Sequence, residues 1–184
     1  SKSVEATVAN VDGLLDVEIP SDRRESFWCR RYGLTRFSQL FTRRQKAFLG
    51  CCSAAIRQIA ETGGTTDKMA TAVQSHLACW LDKLTDYNSS LCAWHTSSQV
   101  VNHVFARQAL PMVWDFAEAN PWGGSVGDWQ AIVENAENGI TAGVTSGDRP
   151  GSMSRGTATS LKWPADSFDA VVTDPPYYDN ISYS

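Results

Sequence analysis

The sequence predicts a chain that is α/β overall but mostly helical, a helical block followed by a short piece of sheet. Three observations predict it. Apolar side chains recur at helical spacing from Phe48 to Leu84, behind a helix-capping signal. A stretch rich in glycine and small polar residues follows Gly139. Beyond it the pattern turns to short apolar runs broken by proline. The chain divides accordingly into a basic, aromatic-rich segment (1–36), the helical block (37–139), a linker (140–155) and the sheet-forming segment (156–184).

Thr42 and Gln45 have capping-box spacing, and Phe48, Cys52, Ala55, Ile56 and Ile59 then share one helical face until Gly63-Gly64 ends the run. Met69, Val73, His76, Leu77, Trp80, Leu81 and Leu84 mark the clearest amphipathic helix. A third helix is expected from Ser98 to Phe105. Pro111 interrupts the pattern, so "PMVWDFAEA" reads as a separate turn and helix with proline at its first position. Ser125 with Asp128 caps a fourth helix expected to end at Gly139.

The composition is that of a globular domain: 184 residues, 42% apolar, 20% charged, net charge −4. No apolar run approaches bilayer-spanning length, and Ser1 to Asn10 lack a signal peptide's apolar core. Five cysteines without framework spacing point to reduced thiols and a cytoplasmic location. His76-x-x-Cys79 and Cys92-x-x-His95 superficially suit zinc, yet the first pair sits on or beside the apolar stripe of a helix, so no metal site is assigned. Nucleophile elbows, phosphate-binding glycine loops and metalloprotease helices are missing, and the glycines of "WGGSVGDW" have no strand before them.

Eight of the sixteen basic residues crowd between Arg23 and Lys46, interleaved with Phe27, Trp28, Tyr32 and Phe37. Two readings stand for this window. Arg23, Arg24, Arg30, Arg31, Arg43 and Arg44 can grip phosphates while the rings stack on bases. Alternatively, the window is a solvated helix start whose arginines pair with acids elsewhere.

The most informative stretch is "FDAVVTDPPYYDN", Phe168 to Asn180. Ala170, Val171 and Val172 read as a strand buried on both faces, and Pro175 must stop it near Asp174. An acid, a rigid turn and two aromatic rings are thus presented together at a strand end. Asp174, Pro175, Pro176 and Tyr177 resemble the signature of amino-group methyltransferases, which use S-adenosylmethionine to methylate the exocyclic nitrogen of adenine or cytosine in DNA. "GTATSLKWPADSFDAVV" resembles the segment of these Rossmann-like enzymes that leads from cofactor contact to catalysis. "YGLTRFSQLFTRRQ", "DYNSSLCAWH", "RQALPMVWDFAEANPW" and "TDPPYYDNISYS" are similar to the C-terminal half of a family of large prokaryotic adenine-specific DNA methylases. The resemblance covers the chain from about Tyr32 onward.

The motif's chemistry is intelligible in itself. Adenine's exocyclic amine is a poor nucleophile because its lone pair is delocalised into the ring. The Asp174 carboxylate and Pro175 carbonyl can accept its two hydrogens out of the ring plane, localising the lone pair towards a methyl donor. Tyr177 offers a ring to a base that has left the duplex stack, and Tyr178 and Asp179 extend the pocket wall.

The resemblance implies a helical block followed by an incomplete Rossmann-like sheet, with S-adenosylmethionine as cofactor and double-stranded DNA, its target base flipped, as substrate. It places Thr157 and Ala158 at the cofactor's adenine, although Thr157 stands where the family often has an acid. The family's glycine-rich cofactor loop and ribose-binding acid lie upstream of the matching part. The chain is therefore expected to be a piece of a larger methylase that supplies them, inactive alone. Its tail is expected either to be disordered or to pair in a homodimer through exposed strand edges. An RNA-base amino-methyltransferase and a non-catalytic helical module that holds nucleic acid or another subunit are the competing readings.

Overall fold

The sequence signal at Thr42 does what its spacing predicts. The Thr42 backbone N–H donates to Gln45 Oε1 at 2.8 Å, and the Gln45 N–H donates back to Thr42 Oγ1 at 3.3 Å. Helix α2 runs from there, over Arg43–Gly63. A computed structural model of the chain describes residues 2–21, 27–63, 68–106, 109–146 and 151–175. Among the described residues it contains four α-helices and a two-stranded hairpin. The other helices are α1 (Lys2–Leu14), α3 (Lys68–Tyr87) and α4 (Trp129–Ser146); the strands are β1 (Trp94–His95) and β2 (Val100–Val101). The chain is thus mostly helical, as its pattern predicts.

Helix α2 packs against both α1 and α3. Gly50 sets the approach of α1: a Cβ there would lie 2.7 Å from both Thr7 Cγ2 and Val11 Cγ2. In α3 the apolar stripe is used only over its second half. Leu84 is fully buried, whereas Met69 and Val73 are exposed.

The core forms where the irregular segments meet the first turns of α2 and the last turns of α3. Ile19, Cys29, Leu40, Leu49, Leu84, Leu91, Cys92, Val104, Leu110 and Ile132 make one buried cluster. The segment after α3 ties it together. The Leu40 carbonyl accepts the Ser89 hydroxyl at 2.8 Å, the Ser90 hydroxyl at 2.9 Å and the Ser90 N–H at 2.8 Å. Asn88 Nδ2 donates to the Leu84 carbonyl at 2.8 Å. "DYNSSLCAWH" is therefore largely a structural knot, its polar groups answering backbone groups that burial would otherwise leave unpaired.

Four expectations need correction. The stretch from Ser98 to Phe105 is no helix: Val100 and Val101 pair antiparallel with His95 and Trp94. The Asn102 N–H donates to Ala93 O at 2.8 Å and the Val104 N–H to Asp86 O at 3.0 Å, so long-range acceptors replace helical ones. The valines' β-branching favours that outcome. "PMVWDFAEA" is likewise not helical but a strap, pinned by the Ala117 N–H to Cys92 O at 2.8 Å. Helix α4 continues past Gly139 to Ser146, so the first part of the expected linker is helical. Gly139 lacks the left-handed φ of a helix-ending glycine, and one glycine inside a helix costs only about 1 kcal/mol. Its cap is Asp128, whose Oδ1 accepts the Gln130 N–H at 2.7 Å, while Ser125 contributes only its carbonyl to the Asp128 N–H.

The fourth correction concerns the tail. Residues 151–175 are exposed throughout, with Val171 at 71% and Val172 at 95% relative exposure. The expected buried strand at 170–172 is not formed, and among the described residues the hairpin is the only sheet, with no Rossmann sheet. An isolated strand cannot satisfy its own backbone, and no sheet edge among the described residues meets this one. Local order is limited to an isolated bridge from Thr157 to Ser160 and an edge-to-face contact of Trp163 with Phe168, centroids 5.4 Å apart. Among the described residues no helix is long and apolar enough to cross a membrane.

Candidate functional site

Only the first two residues of the acid-Pro-Pro-Tyr motif fall among the described residues, on this exposed tail. Asp174 and Pro175 both face solvent. Pro176, Tyr177, Tyr178 and Asp179 lie outside the described residues, as do Arg23 and Arg24. Thr157 Oγ1 lies 2.8 Å from Thr159 Oγ1 and accepts the Thr159 N–H at 3.3 Å, a local turn in which the hydroxyl is already engaged. Thr157 and Ala158 line a small hollow of about 160 Å³ with Gly156, Leu161 and Trp163, and neither Asp174 nor Pro175 belongs to its lining. Among the described residues, Thr157 and Ala158 thus share one exposed segment with Asp174 and Pro175 but no common pocket.

Arg30, Arg36, Arg43, Arg44 and Lys46 of the basic window meet acids of the same chain. Arg30 pairs with Glu18 at 3.1 Å and also donates to the Ile19 carbonyl. Arg36 meets Asp16 at 2.6 Å, Arg43 meets Glu5 at 4.0 Å, and Arg44 pairs with Glu118. Lys46 binds Asp12 at 2.5 Å. Several of these acids belong to α1 and the segment after it, so the pairs clip that region to the rest. Arg31 lies over the Trp28 ring, 4.9 Å from its centroid, and Tyr32 makes an edge contact with Trp114 at 6.5 Å. The more exposed of these pairs, Arg36–Asp16 and Arg43–Glu5, contribute about 0–1 kcal/mol each. Their main consequence is electrostatic, since each paired base offers less net field to an approaching phosphate.

Sequence reasoning missed the Asp86 cluster. Asp86 ends α3 and is nearly buried. Its Oδ1 accepts the Phe105 N–H at 2.7 Å, and its Oδ2 meets His103 Nδ1 at 3.0 Å and Lys83 Nζ at 3.3 Å. His103 also stands against Tyr87, ring centroids 5.6 Å apart. The acid's three partners come from α3 and from a segment well beyond it, so no local spacing announces the cluster. Cys92 donates its Sγ–H to the Asp86 carbonyl at 3.5 Å, but it is fully buried, and burial pushes its thiol up to about 11. Among the described residues no three His, Cys, Asp or Glu side chains gather to hold a metal ion.

Gln45 is a second feature the spacing hides. It is 3% exposed; its Oε1 is used by the helix cap, and its Nε2 has no hydrogen-bond partner among the described residues. A buried amide left unpaired costs about 1–3 kcal/mol. Comparison of the chain with protein-family models, with curated proteins and with solved structures returns no match.

Proposed function

We propose that this chain carries the amine-holding motif of an S-adenosylmethionine-dependent DNA methyltransferase acting on the exocyclic N6 of adenine. The observation that supports the reading most is the exposure of Val171 and Val172 directly before Asp174 and Pro175. β-branched residues at strand spacing, left in water, suit a segment that completes its burial in a sheet supplied by the parent methylase. Once that sheet is formed, Asp174 stands at a strand end, where doubly wound sheets bind their ligands.

In this reading the base leaves the duplex and rests against Tyr177. The Asp174 carboxylate and the Pro175 carbonyl accept the two amine hydrogens, and the carboxylate offsets positive charge growing on nitrogen. The prolines hold the carbonyl in place, so its orientation costs little at the moment of reaction. The hollow at Thr157 and Ala158 gives one hydroxyl and an apolar wall, which suits one edge of the cofactor's adenine. The cofactor supplies the sulfonium methyl; the parent protein supplies the glycine loop and ribose contacts. The helical block, closed around its own core, positions this segment against DNA.

The test is to incubate the full-length parent with S-adenosylmethionine and unmethylated duplex DNA or RNA, then identify methylated nucleosides by mass spectrometry. N6-methyladenine in DNA, lost in Asp174→Ala, is the expected result. A methylated RNA base would move the assignment to an RNA amino-methyltransferase. Absence of methylation from both polymers, with binding retained, would leave a helical nucleic-acid or subunit-binding module.

A further inference from the structure

We propose that the pocket between the start of α2 and residues 118–122 binds one nucleotide: a flat heterocycle with an acceptor on its inner edge and a sugar phosphate at the mouth. The pocket encloses about 450 Å³, within the size range of small-ligand sites. It involves none of the tail residues discussed above, so the inference stands apart from the methyltransferase reading.

One wall is aromatic. Phe48 and Trp122 meet edge to face, centroids 5.8 Å apart at 81°. Trp122 is 69% exposed, yet its backbone is fixed: its N–H donates to Asn120 Oδ1 at 3.1 Å, and the Pro121 carbonyl accepts the Trp129 N–H at 2.8 Å. A held backbone with an open ring face is what a stacked base requires.

Gln45 lines the same pocket. Its oxygen is committed to the Thr42 N–H, and its buried Nε2 has no partner among the described residues. The amide can therefore only donate; a small shift of the wall that covers it lets an acceptor on the ligand, such as a carbonyl or ring nitrogen of a base, complete it. A purely apolar ligand would leave the amide orphaned; a free phosphate would leave the aromatic wall unused.

The mouth carries Arg44 and Glu118, an ion pair in which the Arg44 side chain is 81% exposed. A phosphate can take the guanidinium through charge-assisted hydrogen bonds, and the Glu118 carboxylate, then freed, accepts sugar hydroxyls. Donor inside, ring at the side, and cation and acceptor at the mouth follow the layout of a nucleotide. The same chemistry is offered by a free mononucleotide and by one residue of a single strand.

The experiment is a titration of the full 184-residue chain, followed by ¹⁵N-resolved NMR, with guanosine monophosphate, a short single-stranded oligonucleotide and ribose 5-phosphate. Saturable shifts of the Gln45 side-chain amide and the Trp122 indole are expected with the first two and not with the third. Trp122→Ala, at an exposed ring, should weaken binding roughly 5- to 150-fold, the range for a stacked base. Gln45→Glu keeps an oxygen for the helix cap while removing the donor, and should also weaken binding in a protein whose circular dichroism is unchanged. Tighter binding of the oligonucleotide assigns the pocket to a strand; equal or weaker binding assigns it to the free nucleotide. Lack of saturable shifts at millimolar concentrations of either, equal binding of ribose 5-phosphate, or indifference to Trp122→Ala overturns the proposal. Because the readout is binding, its failure is distinct from a failure to methylate.

Discussion

Across 19 residues of chain, the Asp86 carboxylate accepts the Phe105 backbone N–H at 2.7 Å. That bond closes the end of α3 onto the segment after the hairpin, and the Asp86 carbonyl reinforces it by accepting the Val104 N–H at 3.0 Å. Asp86→Ala strips partners from a buried N–H and from His103 and Lys83 together. We expect a loss of about 2 kcal/mol, because the N–H is left unpaired while the partly exposed His103 and Lys83 recover water. Asp86→Asn retains an acceptor for Phe105 and should lose less. Urea unfolding of both variants checks the order.

Gly50 is the contact at which α1 meets α2. Alanine there gains about 1 kcal/mol of helix propensity but drives a methyl into Thr7 and Val11. Gly50→Leu removes any balance: we expect α1 to be dislodged, with a lower melting temperature and new protease cleavage between α1 and Trp28. A leucine variant as stable and as protease-resistant as the parent chain would show that α1 does not depend on this contact.

Asp128 makes α4 sensitive to acid. The Gly124 N–H, with those of Ala131 and Gln130, holds its carboxyl below the ordinary 3.8 against the opposing effect of burial. A depressed native value means that the carboxylate's stabilisation is fully present above the ordinary value and is lost as pH falls through the native one. Melting temperature should therefore drop below about pH 4. Asp128→Asn should flatten that part of the profile while lowering stability at neutral pH.

The five cysteines should separate by rate with a thiol reagent. Cys51 and Cys79 are exposed and should react first. Cys29, Cys52 and Cys92 have thiols raised by burial, Cys92 to about 11, and should react slowly until the chain unfolds. Mass-spectrometric mapping of labelled sites over time reads this directly.

Val172 provides a test of the tail. At 95% exposure, Val172→Asp should change this chain's stability by less than about 0.5 kcal/mol. In the full-length parent the same substitution should abolish methyl transfer if 170–172 becomes a buried strand. Activity left intact there would remove the main support for the proposed function.

Local signals were legible wherever the chain answers itself over a few residues. The Thr42–Gln45 capping box, the extent of α2 and the body of α3 rest on neighbours in sequence, and the spacing showed them. The acid-Pro-Pro-Tyr motif is equally a property of sequence, and so is the chemistry it implies. Distant partners decided the rest. Val104 and Phe105 give their N–H groups to Asp86 instead of to a helix, and the Cys92 carbonyl holds the strap at Ala117. Arg30, Arg43 and Arg44, which read as part of a phosphate grip, are met by Glu18, Glu5 and Glu118, none of them inside the basic window.

By itself the sequence determined the helical character of the chain, its main caps and the residues of the acid-Pro-Pro-Tyr motif, because each depends on spacing over one or two turns. Tertiary structure alone decided which polar groups are paired, that the 170–172 run stays in water, and that Gln45, Phe48 and Trp122 share one pocket. Hydrogen-bond satisfaction and burial are settled by whichever groups meet in space, and meetings across tens of residues leave no periodic trace.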